Sequence, residues 1–194
     1  MGICNATGCC RDYEIVRTFE NNGFHNNLNS IEEKIFLNNG KLITNEQLIL
    51  NKQYFNIIND IRENPSNYIN ESKSHNLLEI FIKLKPSKPL RLSDNNIFTI
   101  ISYLEDSEEK SISYIEKEKD VKSMINNGNI KNLCLFQTTT LYNDIKENFW
   151  YFLEENEDDI DKILTVNYDY IMIICLPFEN GKSNIFFIFY DEDN

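Results

Sequence analysis

The sequence predicts an α/β fold, a single-domain α/β/α sandwich with a central, mostly antiparallel sheet. Residues 168–176 and 183–190 are two β-rich runs that are apolar on both faces in their middles. Such strands lie centrally in a sheet that helices cover on both sides. Residues 179–182, which include Gly181, are typical of a hairpin turn between them. Along the chain the predicted order is helix, helix, helix, strand, helix, strand, strand, which favours the same architecture.

Length and composition indicate how the chain is organised. It has 194 residues, enough for one domain with a substantial core and some residues left over. We predict a membrane-anchor segment in residues 1–10, a linker or wrapping arm in residues 11–44, and the folded domain in residues 45–194. Residues 11–44 are polar and show no clean hydrophobic period, so both interpretations of them remain open.

Local start and stop signals predict three helices in the first half of the domain. Thr44 and Gln47 form a capping box, and the helix that follows ends near residues 63–64 because Pro65 disfavours a helical residue before it. Ser74, or Ser72, caps a second helix that continues through residue 84 and that two prolines end.

The third helix is predicted over residues 93–104. Ser93 serves as its N-cap. Apolar residues with helical spacing then provide one buried stripe, formed by Ile97, Ile100, Ile101 and Leu104.

The second half of the domain alternates charged and apolar segments. Residues 105–119 are predicted to form a charged surface segment, and residues 120–125 a short helix. A strand begins at Leu133. Residues 138–140 end that strand and cap a helix over residues 141–155.

The first ten residues carry the strongest signal for location. Gly2 follows the initiator Met, and Cys4, Cys9 and Cys10 come within eight positions of it. This arrangement is typical of a myristoylated glycine beside palmitoylated cysteines, which holds a protein on the cytoplasmic face of a membrane. Ala6 departs from the simple pattern, which has Ser or Thr at that position. An unmodified N-terminus with three exposed thiols is the alternative.

The net charge indicates what the second anchoring signal is. One myristoyl chain binds a membrane only marginally, so stable attachment needs a second signal. The chain has a formal net charge of −12, which disfavours attachment to anionic lipids through a basic patch. We therefore expect palmitoylation of Cys4, Cys9 or Cys10. The same charge argues against a nucleic-acid partner.

Hydropathy and cysteine usage indicate a reducing compartment. No apolar stretch is long enough to predict a transmembrane helix, and residues 1–30 lack the apolar run of a signal peptide. Cys134 and Cys175 lie in strand-like runs and are predicted to be buried, unpaired thiols. We expect a cytoplasmic, peripheral membrane protein.

Three segments resemble the CAP superfamily of cysteine-rich secretory, antigen 5 and pathogenesis-related proteins. The first predicted helix carries Asn59 and then Arg62, and Pro65 follows it; the first helix of that family has an Asn, an Arg and a Pro in the same order. Residues 84–90 resemble the family's proline-bearing turn before its second main helix. Residues 163–168 and the two strands after them resemble its final segment.

The resemblance covers roughly residues 45–192 and implies a CAP-like α/β/α domain. The family's best-known site is a cluster of two His and two Glu, which sometimes binds a divalent metal. Here the helix at 93–104 has no His near its end, and the turn before Ile163 has aspartates but no His. His25 and His75 lie outside the matching positions. We therefore predict no metal, no cofactor and no catalysis.

Other candidate sites have structural explanations. Asp158 and its neighbouring aspartates lack the residue spacing of a calcium loop, and Cys134 lacks a histidine partner for nucleophilic catalysis. Adjacent aromatic residues on one helix cannot all face the same core. We therefore predict a contact surface at Trp150 and Tyr151.

Together these observations predict a non-catalytic, lipid-anchored domain that recruits or organises other proteins at a cytoplasmic membrane face. The sequence does not identify the partner protein. An alternative is a structural subunit of a cytoskeletal or ciliary assembly, in which residues 1–44 are an ordered arm. A second alternative is a lipid-binding CAP module.

Overall fold

The computed structural model describes residues 35–36, 42–43, 45–71, 74–125, 129–140, 144–177 and 182–192. The chain divides into two compact units, Met1–Leu48 and Ile49–Asn194. In the first unit, strands β1 (Ile35–Phe36) and β2 (Leu42–Ile43) pair antiparallel. The other described strands belong to the second unit and form one sheet.

The sheet of the second unit has four strands. They are β3 (Arg91–Leu92), β4 (Ile130–Thr139), β5 (Tyr170–Pro177) and β6 (Ser183–Glu192). Their spatial order is β3-β5-β6-β4, with β3 parallel to β5 and the other pairs antiparallel. The fold is therefore α/β with a mixed, mostly antiparallel sheet. The two apolar runs form its central pair, as predicted.

The described α-helices lie before and between these strands in the chain. They are α1 (Asn45–Glu63), α2 (His75–Lys83), α3 (Ile97–Glu109), α4 (Tyr114–Met124), α5 (Ile145–Glu155) and α6 (Ile160–Leu164). Helix α1 ends before Pro65, as predicted, whereas its predicted cap Thr44 lies outside the described residues. None of the described helices is both long enough and apolar enough to cross a membrane.

One face of the sheet carries the main hydrophobic core. Ile173 of β5 and Phe187 of β6 are at most 1% exposed on this face. The rings of Phe187 and Phe152 of α5 lie 4.5 Å apart between centroids. Burying one such side chain contributes roughly 1.5–3 kcal/mol, so this cluster supplies a large part of the domain's stability. Helices α1, α2, α5 and α6 contribute to it, among other residues, Tyr54, Ile58, Leu77, Phe81, Phe149 and Ile163.

The opposite face of the two central strands is buried as well. Side chains alternate along a strand, so Met172 and Ile174 of β5 and Phe186 and Ile188 of β6 point to this second face. Each of them is at most 1% exposed. Helix α3 contacts β5, and α4 contacts β4. Burial on both faces explains why these strands read as continuous apolar runs.

A polar cluster connects α3 and α4 to the edge of the sheet. Lys117 of α4 is only 6% exposed and forms an ion pair with Glu108 of α3. The Glu108 carboxylate also accepts hydrogen bonds from the side-chain amides of Gln137 (3.1 Å) and Asn184 (3.2 Å). Lys117 donates to the Gln137 amide oxygen at 3.3 Å. The prediction that residues 105–119 form a surface segment is therefore wrong for Lys117, because its charge is paired and hydrogen-bonded where it is buried.

Helix α3 begins later than the sequence predicts. Its first residue is Ile97, and Asn96 precedes it with a φ of 55°. Ser93 is buried, and its hydroxyl accepts hydrogen bonds from the Tyr190 hydroxyl and the Asn95 N–H. The prediction of Ser93 as the cap is wrong because this side chain contacts the sheet instead.

Helices α4 and α5 also start at caps that the sequence does not single out. Ser113 caps α4, which begins at Tyr114 rather than near residue 120. Asp144 caps α5, and its carboxylate accepts a hydrogen bond from the Glu147 N–H at 2.9 Å. The predicted cap at residues 138–140 is wrong because Thr138 and Thr139 still belong to β4.

Arg62 joins the end of α1 to two loops. Its side chain is 1% exposed and donates hydrogen bonds to three main-chain carbonyls. The acceptors are Lys88 (3.1 and 3.0 Å), Ile163 (3.2 Å) and Val166 (3.0 Å). Burial lowers the pKa of Arg62 to about 10, so the guanidinium remains charged at neutral pH.

Three segments of the chain meet around Arg62, namely the end of α1, residues 84–90 and residues 163–168. Asn59, one turn earlier on α1, exchanges hydrogen bonds with the main chain of Leu90 at 3.0 and 2.8 Å. The Ser87 hydroxyl donates to the Leu164 carbonyl at 2.7 Å. The helix, the proline-bearing turn and the segment before β5 are therefore in direct contact.

Candidate protein-binding cleft at strand β4

The predicted lipidation sites lie outside the described part of the chain. Gly2, Cys4, Cys9 and Cys10 all fall within residues 1–34, which the structure does not describe. Their acylation stays a prediction.

Within the described part of the chain, Cys134 and Cys175 are not joined in a disulfide. Cys175 is buried, as predicted, and burial raises its pKa to about 12. Cys134 is half-buried, and burial together with the nearby Glu118 raises its pKa. A thiol that stays protonated at neutral pH is a weak nucleophile.

The aromatic residues of α5 divide between the core and the surface. Trp150 is 7% exposed, and its ring centroid lies 5.3 Å from that of Phe81 in the main core. The prediction of a contact surface at Trp150 is therefore wrong, because this side chain faces α2. Tyr151, the next residue, is half-buried and lines a surface cleft instead.

The cleft lies along the outer edge of β4. Within the described residues, β4 pairs with β6 alone, so its other edge is open. The Thr140 N–H donates to the Ser183 carbonyl at 2.8 Å. Main-chain groups alternate between the two edges of an antiparallel strand, so those of Leu135, Gln137 and Thr139 point away from β6. Within the described part of the chain, the sheet offers these groups no partner.

The earlier part of the same edge is covered differently. The Lys122 ammonium of α4 donates to the Lys131 carbonyl at 3.0 Å. Covering an edge with a lysine is a common way to prevent unwanted strand pairing. Leu135 is fully buried, whereas Gln137 and Thr139 are partly exposed, so the accessible part of this edge is at Gln137 and Thr139.

The cleft has a volume of about 510 Å³. We call it the β4 cleft and define it by the residues that line it. They are Tyr114, Phe136, Gln137, Thr138, Thr139, Tyr151, Glu155, Asn156 and Asp159. The strand forms its floor, α4 contributes one tyrosine, and α5 with the turn after it contributes the rest.

The β4 cleft is acidic and aromatic. Its lining includes the carboxylates of Glu155 and Asp159, and no described lining residue is basic. The Thr138 hydroxyl donates to the Glu155 carboxylate at 3.0 Å, which fixes that side chain against the strand. Burial, with smaller contributions from neighbouring groups that include Asp159, raises the pKa of Tyr114, so its hydroxyl stays neutral. The cleft thus presents negative charge, two aromatic rings and main-chain groups that no other described strand pairs with.

Comparison of the chain with protein-family models, with curated proteins and with solved structures found no match.

The described residues hold no group of three or more His, Cys, Asp or Glu side chains placed to bind a metal ion. His75, the histidine that the structure describes, lies exposed on α2 with its ring nitrogen 3.6 Å from the Glu79 carboxylate. The groups of the β4 cleft are suited to recognising an extended chain.

Sequence reasoning missed most of this cleft. Tyr151 has a signal in the sequence, since it follows Trp150 on one helix. Tyr114 and Gln137 have none, because they become neighbours only when α4 packs beside an edge strand. Which strand lies at the edge depends on the strand order, and periodicity does not reveal that order.

Proposed function

We propose that the protein is a non-catalytic, lipid-anchored interaction domain that binds a partner protein at the β4 cleft. The partner contributes an extended, basic segment that pairs with β4 as an additional strand. The observation that carries this proposal is the edge of β4 that lacks a neighbouring strand among the described residues and that lies beside acidic and aromatic side chains.

Strand addition accounts for the main-chain groups of the edge. An extended peptide that pairs with β4 gains main-chain hydrogen bonds, and side-chain pockets then select its sequence. Gln137 and Thr139, whose main-chain groups point away from β6, both line the cleft. A partner strand there can satisfy them without displacing β6.

The charge of the cleft selects the partner's side chains. Glu155 favours lysine or arginine on the incoming strand, since complementary charges speed encounter and fix register. The Asp159 carboxylate already lies 2.6 Å from the Lys162 ammonium, so its attraction for a partner's cation is weaker. Tyr114 and Tyr151 provide aromatic surfaces for aliphatic or cationic side chains. The mostly polar lining does not favour a lipid tail as the occupant.

A proline at the open edge should block this binding without unfolding the sheet. The Thr139 N–H points away from β6, so Thr139→Pro removes a donor for the partner and keeps the β4–β6 ladder. Thr139→Ala is the matched control, because both variants lose the Thr139 hydrogen bond to Asn184 (2.8 Å). We expect Thr139→Pro to weaken binding of a fluorescent peptide of alternating lysine and valine by at least about tenfold relative to Thr139→Ala. Fluorescence anisotropy measures the affinities, and thermal melts compare the folds.

Charge variants test the same site from the side of its carboxylates. Glu155→Gln with Asp159→Asn should weaken the lysine peptide about tenfold, whereas Asp106→Asn with Glu109→Gln, on exposed α3 positions, should not. A peptide of alternating glutamate and valine should not bind. Equal affinity of Thr139→Pro and Thr139→Ala would overturn the assignment of the site.

The membrane anchor is the other half of the proposal. Gly2 with three nearby cysteines supports it, because two acyl signals give stable attachment where one does not. We expect Gly2→Ala to abolish myristate labelling and to move the protein from the membrane fraction to the soluble fraction. Replacing Cys4, Cys9 and Cys10 with Ser should keep the myristate label but weaken membrane retention.

Metabolic labelling with fatty-acid analogues and membrane fractionation measure both effects. A replacement of Cys134 with Ser serves as the control, since this residue lies in β4. An unlabelled wild-type protein in the soluble fraction would refute the anchor. That result would favour the alternative in which residues 1–44 are an arm of a structural subunit.

We further propose a three-layer α/β/α sandwich of CAP-like type for the second unit. Burial of both faces of β5 and β6 supports three layers. The meeting of the three CAP-like segments around Arg62 supports the resemblance, because each segment alone is a weak motif.

A further inference from the structure

The segment between α2 and β3 is basic, although the chain as a whole is acidic. Residues 80–93 contain four cationic side chains and no carboxylate, whereas the full chain has a net charge of −12. The cations are Lys83, Lys85, Lys88 and Arg91. The average charge therefore hides a local positive surface.

Three of these cations line one cleft. Lys83 lies in the last turn of α2, and Lys85 and Lys88 follow in the loop before β3. Together with Thr165 and Asn167 they line a cleft of about 510 Å³, which we call the lysine cleft. Among the described residues that line it, Asp161 is the single carboxylate, so its lining carries more positive than negative charge.

Two of the three lysines are available to a ligand. The Lys88 ammonium lies 2.8 Å from the Asp169 carboxylate and, through that hydrogen bond, lowers the pKa of Asp169. Lys83 and Lys85 are exposed, and neither forms an ion pair with a carboxylate in the described part of the chain. Arg91 is placed differently, with its guanidinium 4.3 Å from the centre of the Tyr170 ring.

Hydrogen bonds with Arg62 hold the loop that carries Lys85 and Lys88. Arg62 donates two hydrogen bonds to the Lys88 carbonyl, and the Ser87 N–H donates to the Arg62 carbonyl at 2.7 Å. A ligand therefore meets a preformed loop and does not have to order it, which removes one cost of binding.

An exposed apolar side chain directly precedes Lys83 in α2. Ile82 is 61% exposed, although Leu77 and Phe81 of the same helix are buried in the core. An aliphatic side chain beside cations matches a membrane interface, where the cations meet anionic head groups and the apolar side chain inserts between lipids. A small free anion, unlike a lipid, would make no apolar contact with Ile82.

We propose that the lysine cleft and Ile82 bind the phosphate-bearing head groups of anionic lipids at a membrane surface. This contact needs no acyl chain on the protein, so it can be tested independently of the proposed anchor at Gly2. The overall charge of −12 opposes the contact less than it suggests, because exposed charges more than about 8 Å apart are largely screened at physiological salt.

Vesicle sedimentation with the unacylated full-length chain tests the proposal. The chain is made in a host that does not attach fatty acids, and the vesicles are phosphatidylcholine alone or with phosphatidylserine. We expect binding only to the anionic vesicles, and loss of binding in high salt. Lys83→Glu with Lys85→Glu should weaken it at least about tenfold, since one lysine contributes roughly fivefold near such a surface.

A matched charge control and a neutral variant complete the test. Lys110→Glu with Lys119→Glu makes the same change of charge at exposed positions outside the cleft and should bind like wild type. Ile82→Ser leaves the charge unchanged and should weaken binding several-fold. If the first double variant fails to fold, Lys83→Gln with Lys85→Gln replaces it.

Three results would overturn the proposal. They are no binding of the wild-type chain to anionic vesicles, equal weakening by the control pair, and binding to a polyglutamate peptide but not to vesicles. Loss of acylation in cells with normal vesicle binding would refute the anchor alone.

Discussion

Replacing Arg62 with lysine should lower the free energy of unfolding by about 3 kcal/mol, although the positive charge is kept. The guanidinium makes four hydrogen bonds to three main-chain carbonyls, which belong to the loop before β3, to α6 and to the loop after α6. The bond to the Ile163 carbonyl is buried. A lysine has its three donors on a single atom and cannot reach both loops in that geometry. At least one carbonyl would therefore stay buried without a donor, which costs about 1–3 kcal/mol for each such group.

Urea unfolding followed by Trp150 fluorescence measures this effect, because Trp150 is the single tryptophan and is buried. Arg91→Lys is the control. Arg91 is exposed, and its guanidinium lies 4.3 Å from the centre of the Tyr170 ring. We therefore expect Arg91→Lys to change the free energy of unfolding by less than about 1 kcal/mol. If Arg62→Lys does not fold, Ser87→Ala removes one hydrogen bond of the same junction and should cost about 1 kcal/mol. Equal stability of Arg62→Lys and wild type would show that the junction contributes little.

Replacing Glu108 with alanine should cost about 3–5 kcal/mol, because it leaves the Lys117 ammonium buried without its counter-charge. The same change removes the acceptor of the Gln137 and Asn184 amides. Lys117→Met should be milder, because the Glu108 carboxylate that it leaves without a counter-charge is 27% exposed and keeps the Gln137 and Asn184 amides as donors.

The double variant Glu108→Ala with Lys117→Met separates the energy of the ion pair from the energy of the other contacts of the two side chains. If the ion pair is responsible, Glu108→Ala with Lys117→Met should be more stable than Glu108→Ala alone, with a coupling energy of about 2 kcal/mol. Removing the exposed pair of Asp106 and Lys110, whose charged atoms are 3.8 Å apart, should change stability by less than about 1 kcal/mol. Additive effects of the two buried substitutions would contradict the role of the pair.

The central strands and the end of α1 were accessible to sequence reasoning because their signals are local. Strands β5 and β6 are apolar on both faces, and Pro65 acts on the residue before it. The start of α3 was not accessible, because Ser93 resembles a helix cap while its hydroxyl contacts Tyr190, a residue of β6. A partner so distant in sequence leaves no trace in the local pattern.

Both clefts show the same division between local and distant information. The lysines of residues 83–88 are visible in the sequence, yet the net charge of the whole chain directs attention away from them. Their alignment along one cleft depends on α6 and the loop after it, which contribute Asp161 and Thr165. Whether β4 lies at an edge of the sheet depends on the strand order, which the sequence of β4 does not indicate.

The junction at Arg62 also has a kinetic consequence. Strands β5 and β6 are close in sequence, whereas Arg62 and its acceptor Ile163 are separated by 101 residues. Contacts between distant residues require closure of long loops and tend to form late in folding. Interactions that form after the transition state govern the rate of unfolding rather than the rate of folding. We therefore expect Arg62→Lys to raise the rate of unfolding, measured in urea jumps, more than it lowers the rate of folding.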